Sequence, residues 1–265
     1  MALASVAFLL LLIGAALLVP PLLPESFLKL NLLLRNLPPS LVSGHLLGTD
    51  ALGQDVLGRV LLAARVSLGI GVSVVACSAL FGAFVGLLSG YFGGFVDNIV
   101  MRLVDILMSF PSLLLAVVVL YVAGPGIPEI ILVLTLTAWP IYARVARAET
   151  LRLKEFAYVE AARAIGCPVW RIIARHIGPN LIATLLTLMT LNLAQVILAE
   201  SALSFLGLGI QPPAVSWGLM VAQGRGYITQ AWWLVVMPGA DIFLTTMAFN
   251  LLSSGIGRVL DPTAR

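Results

Sequence analysis

The chain has 265 residues, of which 60% are hydrophobic and only 10% are charged, and its formal net charge is +3. A mean hydropathy of +1.08 excludes a water-soluble globular domain, because too little polar surface would remain to cover the apolar side chains. Runs of about 20 apolar residues, the length that a bilayer core requires, are the alternative. The composition therefore predicts an all-α, polytopic integral membrane protein.

Residue types that would indicate catalysis or a bound metal are scarce. The two histidines and two cysteines form no cluster with the spacing of metal ligands. Neither of the two lysines, Lys29 and Lys154, follows a glycine, so the nucleotide-binding loop GxxxxGK[ST] is absent. The basic residues are not grouped with aromatic side chains as a nucleic-acid site would need. We expect no catalytic residue, no metal site, no cofactor bound by this chain and no nucleic-acid partner.

Apolar runs predict six transmembrane helices. The first run has no basic residues before it and is evenly rich in leucine, which favours an anchoring helix over a signal peptide. The third run is broken by Pro111, and glycine and proline predict a tight turn at 123–128. The six predicted spans are Ala2–Leu23, Val66–Phe92, Ile99–Ala123, Glu129–Ala146, Leu181–Leu203 and Trp232–Ser254.

The second span carries small residues at four-residue spacing, at Ser78, Gly82, Gly86 and Gly90. Residues four apart lie on one face of a helix, and small residues allow helix backbones to approach closely in lipid. The pattern predicts a tightly packed helix at the centre of a bundle. A gate or an interface with a partner is the other interpretation of this face.

Charged residues are concentrated in one segment, Arg144–Arg175, which we call the island. It holds ten of the 27 charged residues of the chain, and seven of these ten are basic. With the island in the cytoplasm, ten basic residues lie on the inner side and five on the outer side, as the positive-inside rule requires. We therefore expect both termini in the cytoplasm. The inner residues would be Arg102, Arg144, Arg147, Arg152, Lys154, Arg163, Arg171, Arg175, Arg258 and Arg265.

The stretch EFAYVEAARAIG within the island has the pattern of a short amphipathic helix. Phe156, Val159 and Arg163 share one face, and Ala161 and Ala162 keep one flank small enough for another protein to approach closely. An ordinary cytosolic loop, held by contacts between arginines and phospholipids, is the alternative interpretation.

Two features predict where the helices of the island end. Gly166 is expected to end the first helix, and VWRIIARHI is expected to form a second one. Pro179 is expected to mark the entry of the chain into the fifth span.

The residues Glu160-Ala161-Ala162, Gly166 and Pro179 have the spacing of the EAA signature of permease subunits of binding-protein-dependent ABC importers. The chain departs from this family at Gly178, where a leucine is usual. Four further stretches resemble the second permease of the dipeptide, oligopeptide and nickel importers, at 45–71, 90–116, 199–218 and 250–262.

The resemblance implies a single transmembrane permease domain over 1–265, in the MetI-like fold, with a cytoplasmic coupling loop at about 147–179 between spans 4 and 5. A helix of this loop would dock into a groove of a separate ATPase subunit. The residues implied for this contact are Phe156, Val159, Glu160, Ala161, Ala162, Arg163 and Gly166.

The resemblance also implies partners and a location. Two ATPase subunits would use ATP and Mg²⁺, which this chain would not bind. A second, homologous permease would complete the pore, and an extracytoplasmic binding protein would deliver the substrate. The complex would lie in the cytoplasmic (inner) membrane of a bacterium or archaeon, in contact with its lipid.

The expected function is import of di- and oligopeptides, driven by ATP hydrolysis on the partner subunits, so the chain itself would not be an enzyme. Nickel or another small solute is an alternative cargo, and a membrane scaffold or an ion-driven transporter are alternatives of other classes. Polar groups in hydrocarbon are costly and therefore functional candidates. The candidates for the substrate pathway are Asp105, Asn192, Gln195 and Glu200, with Asp241 a further ionisable residue.

Overall fold

The computed structural model describes residues 2–20, 29–41 and 44–260, and the predicted all-α class is confirmed. Short 3₁₀ turns lie at Leu32–Leu34 and Arg225–Tyr227, and a π turn lies at Ile173–Ile177. The α-helices are α1 (Ala2–Leu18), α2 (Val56–Phe92), α3 (Gly94–Ser109), α4 (Ser112–Ala123), α5 (Ile127–Leu153), α6 (Ala157–Ala164), α7 (Val169–Ile172), α8 (Gly178–Phe205), α9 (Trp217–Gly224) and α10 (Trp233–Leu260).

Four helical segments of the described chain are long and apolar enough to cross a membrane. They are Val56–Phe92, Ile127–Leu153, Val169–Phe205 and Trp233–Gly257. Helix α1 is apolar but shorter than these four, and the predicted end of the first span, at 21–23, lies outside the described residues. The described structure thus contains at least four of the expected spans.

A fifth span consists of two helices. α3 and α4 pass the same test as a pair, although the chain bends by 89° between them. The bend lies at Phe110 and Pro111, as the sequence predicted. A proline disfavours helical geometry at the residue before it, and Phe110 is extended, with φ −94° and ψ 139°.

The small-residue face of α2 packs directly on the main chain of α5. A Cβ added to Gly86 would lie 2.1 Å from the carbonyl oxygen of Ala143. Gly82 approaches Trp139 and Gly90 approaches Arg147 in the same way, and the Ser78 hydroxyl donates to the Thr135 carbonyl at 3.4 Å. Each partner is 57 residues further along the chain (135 minus 78, and likewise for the others). The constant offset means that α2 and α5 are parallel, and the predicted central, tightly packed helix is confirmed.

The other spans alternate in direction around this pair. α2 and α5 both run toward the end of the bundle where the island lies, which we call the island end. α8 runs away from it, and α10 returns, with the Ser253 hydroxyl donating to the Thr187 carbonyl at 3.1 Å. Apolar side chains of α1, α2, α8, α9 and α10 form one shared core.

The predicted boundary between the second island helix and the fifth span coincides with the start of α8 at Gly178, although no loop separates the two helices. The helix is continuous from Val169 to Phe205 and passes through the π turn at Ile173–Ile177. Pro179 lacks an N–H and cannot complete a regular helical turn. The wider turn before it accommodates the proline, and the Gly178 N–H donates to the Ile173 carbonyl within that turn.

We expect Gly86→Ala to destabilise the bundle by about 1–3 kcal/mol, because the added methyl group would overlap the backbone of α5. Gly69→Ala is the matched control, since it lies on the same helix and an added Cβ meets no atom within 4 Å. The thermal unfolding midpoint of the two variants in detergent would measure the difference. Equal midpoints would show that the close approach of α2 and α5 does not limit stability.

Candidate functional site

Helix α6 lies on the island end and buries one of its faces. Val159 is fully buried and Ala162 nearly so. Both belong to an apolar cluster with Leu153 at the end of α5 and with Ile172, Ile177 and Leu181 of the α7–α8 helix. Of the seven residues predicted for coupling, these two therefore fix α6 to the bundle and do not face outward.

The helix ends as the sequence predicted, at Gly166. This residue has φ +76°, a conformation that glycine adopts without strain. The Gly166 N–H donates to the Arg163 carbonyl at 3.0 Å, and the Cys167 N–H donates to the Ala162 carbonyl at 3.0 Å. This pair of hydrogen bonds is a Schellman motif, and it turns the chain sharply toward α7.

The other face of α6 is open to the surroundings. The other five predicted residues, Phe156, Glu160, Ala161, Arg163 and Gly166, are exposed there. Two large apolar side chains of the same segment are also exposed, Ile165 at 84% and Trp170 at 65%. Exposed apolar and charged side chains together are typical of a protein–protein interface, so this face can bind a partner protein.

Polar contacts attach the island to neighbouring helices. The Lys154 Nζ donates to the Gly90 carbonyl at 3.1 Å, at the end of α2. The Arg163 guanidinium lies 5.2 Å from the centre of the Tyr91 ring, and a cation over an aromatic face is attractive. The exposed face of α6 is thus connected to both α2 and the α7–α8 helix, so a displacement of α6 acts on two spans.

Charged pairs connect α3 to α5 at the same end. Arg147 makes two hydrogen bonds of 2.5 Å to the carboxylate of Asp97, which also accepts one from the Ser89 hydroxyl. Arg144 pairs with Asp105 on an exposed surface. Asp105, a predicted pathway residue, therefore lies at the island end in an ion pair, apart from the other three candidates.

Asn192 and Gln195 line a cavity of about 340 Å³ within the bundle. The cavity lies where the break between α3 and α4 faces α5 and α8. The sequence did not predict several of the other residues that line this cavity. The break at Pro111 did indicate where helical packing would be interrupted. These further lining residues include Leu107, Met108, Phe110, Ser112, Thr137 and Ile141.

Glu200 is fully buried and does not line this cavity. The Ser204 and Ser67 hydroxyls donate to its carboxylate at 2.8 and 3.2 Å. The Ser67 oxygen also accepts from the Trp217 N–H at 3.3 Å. The structure therefore does not bring Glu200 together with Asn192 and Gln195. Its contacts join α8 to α2 and to the start of α9.

The bundle has one end that can bind another protein, and it has a partly polar cavity between its spans. A membrane transport permease has this organisation. Comparison with known proteins agrees with this class. A family described as "Binding-protein-dependent transport system inner membrane component" matches residues 82–265. The chain belongs to this family of inner-membrane transport components, whose members are transport permeases and not catalytic enzymes.

Two relatives are similar over nearly the whole chain. The dipeptide transport system permease protein DppC of Bacillus subtilis is 40% identical over 100% of this chain and 82% of its own length. The glutathione transport system permease protein GsiD of Pectobacterium atrosepticum is 38% identical over 98% of this chain and 86% of its own.

A solved structure has the same fold. It is an inward-facing conformation of the MetNI methionine ABC transporter, in its CY5 native crystal form, with a TM-score of 0.57 and 21% identity. The match covers 76% of this chain and 96% of that one, and the predicted MetI-like fold is confirmed.

We expect Glu200→Leu to destabilise the protein strongly, because the buried Ser67 and Ser204 hydroxyls would lose their acceptor, at about 1–3 kcal/mol each. Glu200→Gln keeps an acceptor oxygen and should cost less. Thermal unfolding in detergent would rank the variants, with exposed Gln230→Leu as the control. A Glu200→Leu protein as stable as Gln230→Leu would contradict a structural role for this carboxylate.

Proposed function

We propose that this chain is the permease of an ATP-driven importer of di- and oligopeptides. The exposed face of α6, attached to two spans, is the observation on which the proposal depends. The names of the relatives support a peptide cargo, since they transport dipeptides and glutathione. The protein supplies the membrane path, and the energy comes from ATP hydrolysis on separate subunits.

The partner at α6 in this proposal is an ATPase subunit. Ile165 and Trp170 would enter an apolar groove of that subunit. Glu160 and Arg163 would make charge-assisted contacts at its rim, and Ala161 would allow a close approach. Two ATPase subunits would bind ATP and Mg²⁺, while this chain, which has no nucleotide-binding loop, would bind neither.

Motion would pass from α6 into the bundle through packed side chains. Val159 and Ala162 belong to the same apolar cluster as Ile172 and Leu181, which lie on either side of the π turn in the α7–α8 helix. Because that helix is continuous to Phe205, a displacement at the island end would tilt the whole span. Such a rigid-body movement would alternate the pore between its inward- and outward-facing states.

In this proposal the island end faces the cytoplasm, with both termini on that side. The distribution of basic residues, ten against five, supports the orientation. So does the end of α10, which returns to the part of α8 that lies nearest the island. The opposite end would face the extracytoplasmic binding protein of a bacterial or archaeal inner membrane.

The substrate path in this proposal runs past Asn192 and Gln195, and a second, homologous permease supplies its other wall. The cavity is bounded by the 89° bend between α3 and α4, and Phe110 at that bend is one of its lining residues. Amide side chains suit a cargo of peptide bonds, since they donate and accept hydrogen bonds without selecting a charge. Nickel would need imidazole, thiolate or carboxylate ligands, and the described residues contain no cluster of three such groups.

Three measurements would separate the proposed function from its alternatives. Purification of the chain should retain P-loop ATPases, and the binding protein should stimulate ATP hydrolysis in proteoliposomes. The ligand that the cognate binding protein retains would identify the cargo. A chain that recruits no ATPase would favour a scaffold, and retention of nickel would favour the metal importer.

We expect Gly166→Val to abolish uptake and to release the ATPase subunits, because valine at φ +76° is strained and the end of α6 would rearrange. Gly207→Val is the matched control, since Gly207 has φ +82° and ends α8 at the opposite end of the bundle. Retention of the ATPase during purification is the readout. Normal uptake by a folded Gly166→Val protein would refute the coupling role.

We expect Asn192→Leu with Gln195→Leu to lower peptide uptake by roughly tenfold, because the cavity would lose its two amide groups. Stimulation of ATP hydrolysis by the binding protein should persist, since α6 is unchanged. Uptake of labelled dipeptide into proteoliposomes, at equal protein content, would measure the effect. Unchanged uptake would place the path elsewhere.

A further inference from the structure

A second cavity, of about 290 Å³, lies at the end of the bundle opposite α6. It is formed where the segment before α2 meets α9 and the start of α10. Its walls are largely apolar and its floor is an ion pair. The lining residues are Asp50, Ala51, Leu52, Arg59, Met220, Gln223, Gly224, Tyr227 and Leu234.

The floor of the cavity is the buried pair of Arg59 and Asp50, whose side chains are 9% and 8% exposed. Arg59 Nη1 donates to Asp50, and its Nη2 donates to the Gln223 Oε1 at 2.8 Å. The other Asp50 oxygen accepts from the backbone N–H groups of Leu52 and Gln54, both at 2.8 Å. The carboxylate is therefore well satisfied by this chain.

Arg59 is not satisfied to the same degree. Its Nε is buried and has no hydrogen-bond partner within the described part of the chain. A buried donor without a partner costs about 1–3 kcal/mol, and more when it is charged. The guanidinium therefore has one N–H left for a further acceptor, such as a water or a ligand.

Further donors surround the same space. The Gln223 side-chain amide offers N–H groups, and Tyr227 offers its O–H. Arg35 lies beside the cavity, because its guanidinium carbon is 5.7 Å from the centre of the Tyr227 ring and its Nη2 donates to the Tyr227 oxygen at 3.5 Å. Two arginines against one aspartate leave a net positive charge, which favours an anion.

We propose that this cavity binds a carboxylate, which accepts hydrogen bonds from Arg59, Gln223 and Tyr227 while its apolar neighbour contacts Met220 and Leu234. A carboxylate matches the planar donors of an arginine, and the volume suits the end of a short peptide or one acidic side chain. The site is separate from the cavity at Asn192.

The carboxylate has two possible sources: the free end of a small solute, or an acidic side chain of the docked binding protein. The second source rests on the proposed function, which places this end on the extracytoplasmic side. In either case the ligand would connect the segment before α2 to α9 and α10, and so would stabilise one arrangement of these three elements.

Gln223→Glu tests the site in the assembled complex in lipid nanodiscs. The substitution keeps an acceptor for Arg59 and the shape of the side chain, but it removes two donors and adds a negative charge. Gln230→Glu is the matched control, because it makes the same charge change at an exposed position outside the cavity. Tyr227→Phe is a second variant that removes one donor and leaves the ion pair untouched.

Two binding measurements, without ATP, distinguish the sources. One titrates alanyl-alanine, with alanyl-alaninamide as its uncharged counterpart, and the other titrates the purified binding protein. We expect Gln223→Glu to weaken the binding of one probe, either the dipeptide or the binding protein, by at least tenfold. Tyr227→Phe should weaken the binding of the same probe by about fivefold. Weaker dipeptide binding identifies a solute site, and weaker docking identifies an acidic side chain of the binding protein.

The proposal is overturned if Gln223→Glu and Gln230→Glu bind both probes equally, or if the only effect of Gln223→Glu is weaker dipeptide binding that the amide shares to the same extent. Dipeptide uptake by the wild-type complex is measured in parallel. A failure of uptake would refute the peptide importer without affecting the two binding results, so the two proposals can fail separately.

Discussion

Contact between the main chains of α2 and α5 determines where the other parts of the molecule lie. Because the four contacting pairs keep one offset, the helices are parallel and end at the same side of the bundle. The α3–α4 segment must therefore return the chain between them. The same arrangement brings Lys154 to the Gly90 carbonyl and Arg147 to Asp97. The island is thus fixed to the centre of the bundle.

This rigid pair limits which elements can change shape. At Gly82, Gly86 and Gly90 the main chain of α2 lies against the main chain of α5, so no glycine side chain can rearrange there. Two other places are less regular: the 89° bend at Pro111 and the π turn at Ile173–Ile177. The bend borders the cavity at Asn192, and the π turn borders the residues on which α6 packs. A movement that starts at α6 thus meets an irregular turn before it reaches the cavity.

Local patterns in the sequence predicted much of this fold. The spacing of small residues identified the central helix, Pro111 identified the bend, and Gly166 identified the end of α6. The amphipathic pattern of α6 did not reveal that Val159 and Ala162 face inward, because their partners come from α5 and from the helix that follows. The environment of Glu200 was also hidden, since Ser67 is 133 residues away in the chain. Contacts of this kind depend on tertiary packing, which a single sequence does not show.

The π turn has a further consequence, which concerns helical phase. A π turn holds one residue more than the α-helical turn it replaces, and one residue corresponds to a rotation of roughly 100° about the helix axis. Ile172 precedes the turn and Leu181 follows it, yet both face the same apolar cluster under α6. The rotation of the segment before the π turn relative to α8 therefore depends on the number of residues between Ile172 and Leu181. An insertion or deletion between 172 and 181 would turn one set of contacts away from the other, even if every contacting side chain were kept.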